Sequence, residues 1–239
     1  MHVHVLTLFP DMFPGPLGHS LAGKALGKEL WSLKAHNIRD YTVNRHACVD
    51  DTPFGGGPGM VIRADVVHAA IEAVSSLCSR PRYIFMTPRG EPLTQGVLNT
   101  LRATPCETQE WIILCGHYEG VDQRVIDAWG FEEISVGDYI LSGGEMAAMV
   151  LLDGLVRLIP GVMGHEESHV EESFSVPLLE YPQYTRPQVW NDRAVPEVLL
   201  SGHHLNIQKW RQQQAHFITQ QRRPDLWQRY CDHSSTTRI

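Results

Sequence analysis

No apolar run in this 239-residue sequence reaches the roughly 20 residues that a membrane-crossing helix needs. The amino terminus, Met1-His2-Val3-His4-Val5-Leu6, lacks a basic segment followed by a long apolar stretch, so no secretory leader is expected and the chain reads as cytoplasmic. Cysteine is scarce. Cys48, Cys78, Cys106, Cys115 and Cys231 are odd in number and none are spaced as C-x-x-C, which argues against a disulfide framework or a zinc site and leaves free thiols. Signature motifs are missing as well. Gly55-Gly56-Gly57-Pro58-Gly59 is not followed by Gly-Lys-Ser/Thr, so it is not a Walker A loop, and Met60 stands where a dinucleotide fingerprint needs its third glycine. His165-Glu166-Glu167 is not H-E-x-x-H, and there is no G-x-S-x-G elbow. His2 and His4 share one strand face, where a strand-edge role is expected rather than a metal site.

What is present describes a globular protein. Hydrophobic residues make up 43% of the chain and charged residues 20%, enough for one good core or for one medium and one small domain. The net charge of -7 is unevenly spread. Residues Ser201 to Ile239 hold six Lys/Arg and two Asp/Glu, a net of +4, whereas the first 200 residues carry fourteen Lys/Arg and twenty-five Asp/Glu, a net of -11. A local basic face binds phosphates even on an acidic chain, although a charged tail is as readily a solvated one.

Up to residue 160, short apolar runs alternate with amphipathic stretches. Val3 to Phe9, Ser32 to Tyr41, Tyr83 to Met86, Trp111 to Cys115 and Glu133 to Val136 read as extended. Leu17 to Leu30, Ala64 to Cys78, Thr94 to Arg102, Val121 to Ala128 and Glu145 to Leu158 read as helices, the last opened by a Ser142-x-x-Glu145 capping box and stopped before Pro160. This alternation predicts an α/β fold with a mainly parallel sheet covered on both faces. Residues 161 to 175, rich in glutamate and without a clear period, read as a flexible linker. Residues 176 to 239 read as a small helical domain. Prolines at 177, 182, 187 and 196 keep its first elements short, and Ile207, Trp210, Phe217 and Ile218 form the inner stripe of a helix from His203.

Three glycine-rich segments follow strands: Met86-Thr87-Pro88-Arg89-Gly90, Leu114 to Gly120, and Ser135 to Glu145. In an open parallel sheet, ligands bind at the carboxyl ends of strands, and glycine lets backbone groups approach a flat ligand. Adenine suits such a pocket, with apolar walls and a few backbone donors and acceptors. Tight-turn geometry alone would also explain each glycine.

Seven segments together carry a family resemblance: Leu8-Phe9-Pro10 with Met12-Phe13; Val49-Asp50-Asp51 with Pro53-Phe54-Gly55-Gly56-Gly57-Pro58-Gly59-Met60; Cys115-Gly116 with Tyr118-Glu119-Gly120; Gly137-Asp138-Tyr139 with Leu141-Ser142-Gly143-Gly144-Glu145; Ile159-Pro160-Gly161-Val162; Tyr184-Thr185-Arg186-Pro187; and Leu200-Ser201-Gly202-His203-His204. Running in order from residue 8 to about residue 211, they resemble the bacterial tRNA (guanine-N1)-methyltransferases of the TrmD family. The resemblance implies a SPOUT-type α/β fold with a trefoil knot at the cofactor site, a rare exception to ordinary connection rules. It implies a homodimer with active sites at the interface and a carboxyl-terminal domain that helps hold the tRNA anticodon stem-loop. It further implies that S-adenosylmethionine is bound by Thr87, Pro88, Gly116, Tyr118, Glu119, Val136, Gly137, Asp138, Tyr139, Ile140, Leu141, Gly143 and Gly144.

The reaction so implied is methyl transfer to N1 of the guanosine at position 37, just 3′ of the anticodon. N1 must lose a proton, which calls for a carboxylate base, and charge building on O6 calls for a cation. Arg157 matches the family arginine beside O6, and a helix-end arginine also complements the helix dipole. The base position departs from the family pattern. Where Asp usually precedes Ser-Phe, this chain has Glu171-Glu172-Ser173-Phe174, which makes Glu172 the aligned base and Glu171 the lesser candidate. Asp50 and the glycine loop after it are expected to face the anticodon, and Lys209, Arg211, Arg222 and Arg223 to meet phosphates. The resemblance also implies a response to Mg²⁺. The sequence holds no dedicated cage, Glu119, Glu171 and Glu172 offer carboxylate oxygens, and no metal ligand is assigned. Two alternatives are a knotted methyltransferase acting on another RNA site, and a catalytically weakened RNA-binding relative. The intact cofactor loops weigh against the second.

Overall fold

The computed structural model describes residues 1–42, 48–103, 110–163 and 172–236. The chain forms two compact units, residues 1–164 and 165–239.

In the first unit the elements run β1 (His2–Thr7), α1 (Ser20–Gly27), β2 (Ser32–Asn37), β3 (Asp50–Asp51), β4 (Val61–Ile62), α2 (Ala64–Ser75), β5 (Arg82–Pro92), α3 (Gln95–Ala103), β6 (Glu110–Cys115), α4 (Gln123–Trp129), β7 (Glu132–Ser135) and α5 (Glu145–Val156). Five strands make one sheet in the order β2-β1-β6-β5-β7, and every pairing is parallel. Its central strands are apolar on both faces, as a sheet covered twice requires. Ile113 and Cys115 of β6 point into a core shared with α1, α3 and α5, and Ile112 and Leu114 into a second core shared with α2 and α4. The result is three layers, helix, sheet and helix. Leu151, Leu152 and Leu155 anchor α5, and each leucine so buried contributes about 1.5–3 kcal/mol.

Three expectations need correction. Residues 38–41 do not continue β2; they turn into a 3-10 helix whose preceding Asn37 side chain accepts from the Arg39 N–H. β5 does not stop at Met86 but runs on to Pro92, with a break in register that matters below. Ser142-x-x-Glu145 is not a capping box either. Gly144 occupies the N-cap without a side-chain cap, and the Glu145 carboxylate turns inward to other partners.

At one edge of the sheet, His4 Nδ1 lies 2.9 Å from His36 Nε2 with the rings stacked, and the Tyr41 hydroxyl is 3.4 Å from His36 Nδ1. Burial, then the charges of His4 and Lys34, lower the pKa of His36 from 6.5 to about 4. The folded state therefore keeps His36 neutral at a pH where the unfolded chain protonates it. Stability is expected to be undiminished by this group above pH 6.5 and to fall as pH drops toward about 4. Urea midpoints measured across that range should show a shallower slope for H36Q than for the wild type; equal slopes would contradict this.

The second unit holds a two-stranded hairpin, β8 (Val189–Trp190) and β9 (Arg193–Ala194), then α6 (Glu197–Leu200), α7 (His204–Arg222) and α8 (Pro224–Thr236). The hairpin was not expected. Its turn residues Asn191 and Asp192 both have positive φ, the type I′ pattern that joins twisted strands tightly. The inner stripe of α7 also differs from expectation. Phe217 is 54% exposed, and the buried positions are Ala215 and Thr219. The Thr219 hydroxyl donates to the Ala215 carbonyl at 2.7 Å and accepts from the Leu179 N–H at 2.8 Å, while His216 packs against Trp227 and Tyr230 of α8.

Candidate cofactor site

The carboxyl ends of β5, β6 and β7 open into a cavity of about 460 Å³. It lies where the connections diverge: α3 follows β5 onto one face of the sheet and α4 follows β6 onto the other. That divergence leaves a crevice above the strands, the usual ligand position in an open parallel sheet.

Each wall is a glycine loop with a mechanical reason for its glycine. In the first, Met86 and Glu91 both pair with Ile134 of β7, so Thr87, Pro88, Arg89 and Gly90 loop out of the strand between them. A Cβ on Gly90 would lie 2.3 Å from the Ile134 nitrogen, and only glycine lets the loop return that closely. The second loop follows β6, with Tyr118 at φ 59 and Gly120 at φ 121. The third runs from Val136 to Gly144. The second and third are joined, because the Gly144 N–H donates to the Gly116 carbonyl at 2.9 Å and His117 bridges Gly143.

Every cofactor residue named from the sequence lines the cavity except Asp138, which is exposed on the third loop. The walls also include Phe85, Met86, Ile134 and Ala147, which are apolar, and Arg89, His117 and Gln123, which are polar. None of these was assigned to the cofactor from the sequence, although Met86, Arg89 and His117 lie in the glycine-rich segments singled out there. His117 is the variable position inside the Cys115 to Gly120 motif, and nothing local distinguishes it.

The glycine-rich segment after β3 also meets this region. β3 and β4 pair antiparallel, Asp50 opposite Ile62, and the loop between them has positive φ at Gly55, Gly56, Gly57 and Gly59. The Ile62 N–H donates to the Gly120 carbonyl and the Glu119 N–H to the Met60 carbonyl, so this hairpin is tied to the second cofactor loop. Phe54 stands almost fully exposed at its tip.

Arg157 caps the carboxyl end of α5 and is partly buried. Glu172 belongs to the second unit, where its carbonyl accepts from the Ser175 N–H and hydroxyl; Glu171 lies outside the described residues. On α7, Lys209 and Arg222 are exposed, Arg211 lies over the Tyr181 ring at 4.8 Å, and Arg223 is held in a two-pronged ion pair by Asp225. Among the described residues, no three His, Cys, Asp or Glu side chains converge to hold a metal ion, and Mg²⁺ finds no support. No helix among them is long and apolar enough to cross a membrane.

A three-layer parallel fold with a glycine-rich, largely apolar cavity at its strand ends has the size and lining to receive a nucleoside-sized ligand. Comparison with known proteins narrows this class. The family model for tRNA (Guanine-1)-methyltransferase TrmD matches residues 1–229. The tRNA (guanine-N(1)-)-methyltransferase of Rhodopseudomonas palustris strain TIE-1 is 61% identical over 223 residues, 93% of this chain and 88% of that protein. Its counterpart in Brucella canis is 58% identical over 230 residues, 96% of this chain and 91% of that protein. The chain belongs to the TrmD family of tRNA (guanine-1)-methyltransferases.

Proposed function

We propose that this protein transfers a methyl group from S-adenosylmethionine to N1 of the guanosine at position 37 of tRNA, 3′ to the anticodon. The observation that carries the reading is the three-loop cavity in a chain of this family. Its residues fit the cofactor. The apolar wall formed by Ile134, Val136, Leu141 and Ala147 suits a purine, the loop amides and carbonyls suit its edge, and side chains are missing at Gly116, Gly143 and Gly144, where a Cβ would meet neighbouring atoms. Bound there, S-adenosylmethionine supplies an electrophilic methyl group. The chain's own residues do the rest. Glu172 takes the N1 proton, so that a lone pair faces the methyl group, and Arg157 donates to O6 as charge accumulates there. Asp50 and the adjoining hairpin meet the anticodon loop, and Lys209, Arg211 and Arg222 meet phosphates, with Arg223 contributing less because Asp225 already holds it.

A trefoil knot through the three loops, a homodimer with active sites at the interface, and a carboxyl-terminal RNA-binding domain complete this reading. For the dimer, support comes from Met146 and Val150, exposed one turn apart on the outer face of α5 beside exposed Asp153, and from exposed Ile140 and Leu141 on the third loop. A substrate of this kind places the protein in the cytoplasm.

The test is methyl transfer from labelled S-adenosylmethionine to an unmodified transcript with guanosine at positions 36 and 37, beside one with adenosine at 37. Label on the first alone, recovered as 1-methylguanosine, is the expected result. Label on neither, or equally on both, would refute the proposal.

A further inference from the structure

Outside the residues already assigned, one polar cluster is buried against the cavity. Glu145, the first residue of α5, is 2% exposed, and among the described residues its carboxylate meets two donors. The Thr7 hydroxyl, at the end of β1, donates to Oε1 at 2.5 Å, and His117 Nε2 lies 2.8 Å from Oε2. The direction of each bond can be deduced. Thr7 Oγ1 accepts the Phe9 N–H at 2.9 Å, and its single proton goes to Glu145. A carboxylate only accepts, so His117 carries a proton on Nε2, and in the neutral ring Nδ1 is the acceptor. The imidazole is wedged as well as bonded. Phe9 packs on it with ring centres 4.8 Å apart, and a Cβ on Gly143 would sit 2.2 Å from Nε2, so the ring lies directly against the third loop.

This cluster joins four pieces of chain: the end of β1, the start of α5, and the second and third cofactor loops. Glu145 is fixed by its helix and Thr7 by the central sheet. His117 is the member that lines the cavity. From this geometry we infer that Glu145, acting through His117, is a positioning residue that holds the Gly116–Gly120 and Val136–Gly144 loops in the shape that receives the cofactor. The inference rests on the methyl-donor reading above. Its physical basis is pre-organisation. A loop already held in its bound shape loses less conformational freedom on binding, and a buried carboxylate deprived of a donor disfavours that shape.

The test uses the full-length protein. His117 is replaced by leucine, which fills similar space without a donor, and by glutamine, whose carboxamide N–H reaches toward Glu145 as Nε2 does. S-adenosylhomocysteine affinity is measured by calorimetry, and the KM for tRNA in parallel. H117L is expected to bind S-adenosylhomocysteine about ten- to a hundredfold more weakly, as loss of a hydrogen bond to a charged group implies. H117Q should recover most of that loss, and the KM for tRNA should hardly move in either. Nitrogen-15 spectra of histidine-labelled wild type, with the His117 signal assigned by its loss in H117Q, should show the Nε2–H tautomer. E145Q should switch it to Nδ1–H, because a carboxamide nitrogen needs an acceptor. Affinity in H117L equal to the wild type, H117Q no better than H117L, or an Nδ1–H tautomer in the wild type would each overturn the inference. A wild type that binds no S-adenosylhomocysteine would overturn both this inference and the cofactor reading beneath it.

Discussion

Glu172→Gln should lower turnover on tRNA by about 10²- to 10⁴-fold, the range general-base catalysis supplies, and leave S-adenosylhomocysteine binding unchanged. Guanine N1 is protonated at neutral pH, and its lone pair is available only once that proton leaves. A carboxamide of the same shape keeps the hydrogen-bonding surface and removes the acceptor strength. Glu172 is not among the residues that line the cavity, and the substitution leaves those residues unchanged. Glu172→Asp shortens the side chain by one carbon, about 1.5 Å, and restores the residue that usually precedes Ser-Phe in the family. It should retain much of the turnover. Single-turnover rates separate chemistry from product release. Near-normal rates for E172Q would reassign the base and turn attention to Glu171.

Gly144→Ala should cost the protein its cofactor affinity. Gly144 has φ -78, which alanine adopts freely, so the effect is steric alone. The added Cβ would lie 2.8 Å from Cys115 Cα and 3.0 Å from the Gly116 nitrogen. Those atoms are backbone at the end of a central strand and cannot rotate away. Inserting a methyl group into a packed site costs about 1–3 kcal/mol, and the strain falls on the bond between Gly144 N–H and the Gly116 carbonyl that closes the pocket. That range corresponds to an affinity loss of about five- to 150-fold. Gly27→Ala is the control. It ends α1 with nothing within 4 Å of its added Cβ, and it should leave binding as it was. G144A binding S-adenosylhomocysteine like G27A would mean that the second and third loops are not held together as described.

Elements with a strong local signal were legible before the structure. α2 shows apolar residues at helical spacing, α5 is a mostly apolar run stopped before Pro160, and β6 is apolar from Trp111 to Cys115, the pattern of a strand buried on both sides. The three loops stood out because each sets glycine within a few residues of a strand end. Other features depend on distant partners. Thr7 and Glu145 are 138 residues apart, and Ser142-x-x-Glu145 satisfied a local rule that the fold overrode by giving the carboxylate better donors in the core. The break in β5 was hidden because Pro88 and Gly90 read as its end, whereas pairing with β7 resumes at Glu91. On α7, Phe217 looked like core by hydropathy. The buried positions are instead the smaller Ala215 and Thr219, one turn apart on the same face, where the Thr219 hydroxyl accepts from the Leu179 N–H.

A cavity walled in part by backbone has a bearing on inhibitors. A compound that reads side chains can be escaped by exchanging one side chain for another. Along the Gly143 and Gly144 stretch, the surface on offer is peptide groups, and any substitution there adds atoms where neighbouring ones already sit 2.2–2.8 Å from the new Cβ. Changes that would exclude a ligand hydrogen-bonded to those peptides would also exclude the native one. Resistance should therefore arise at the exposed rim, at Tyr139 or Ile140, or through raised amounts of the protein, and an inhibitor that stays clear of that rim leaves fewer exits.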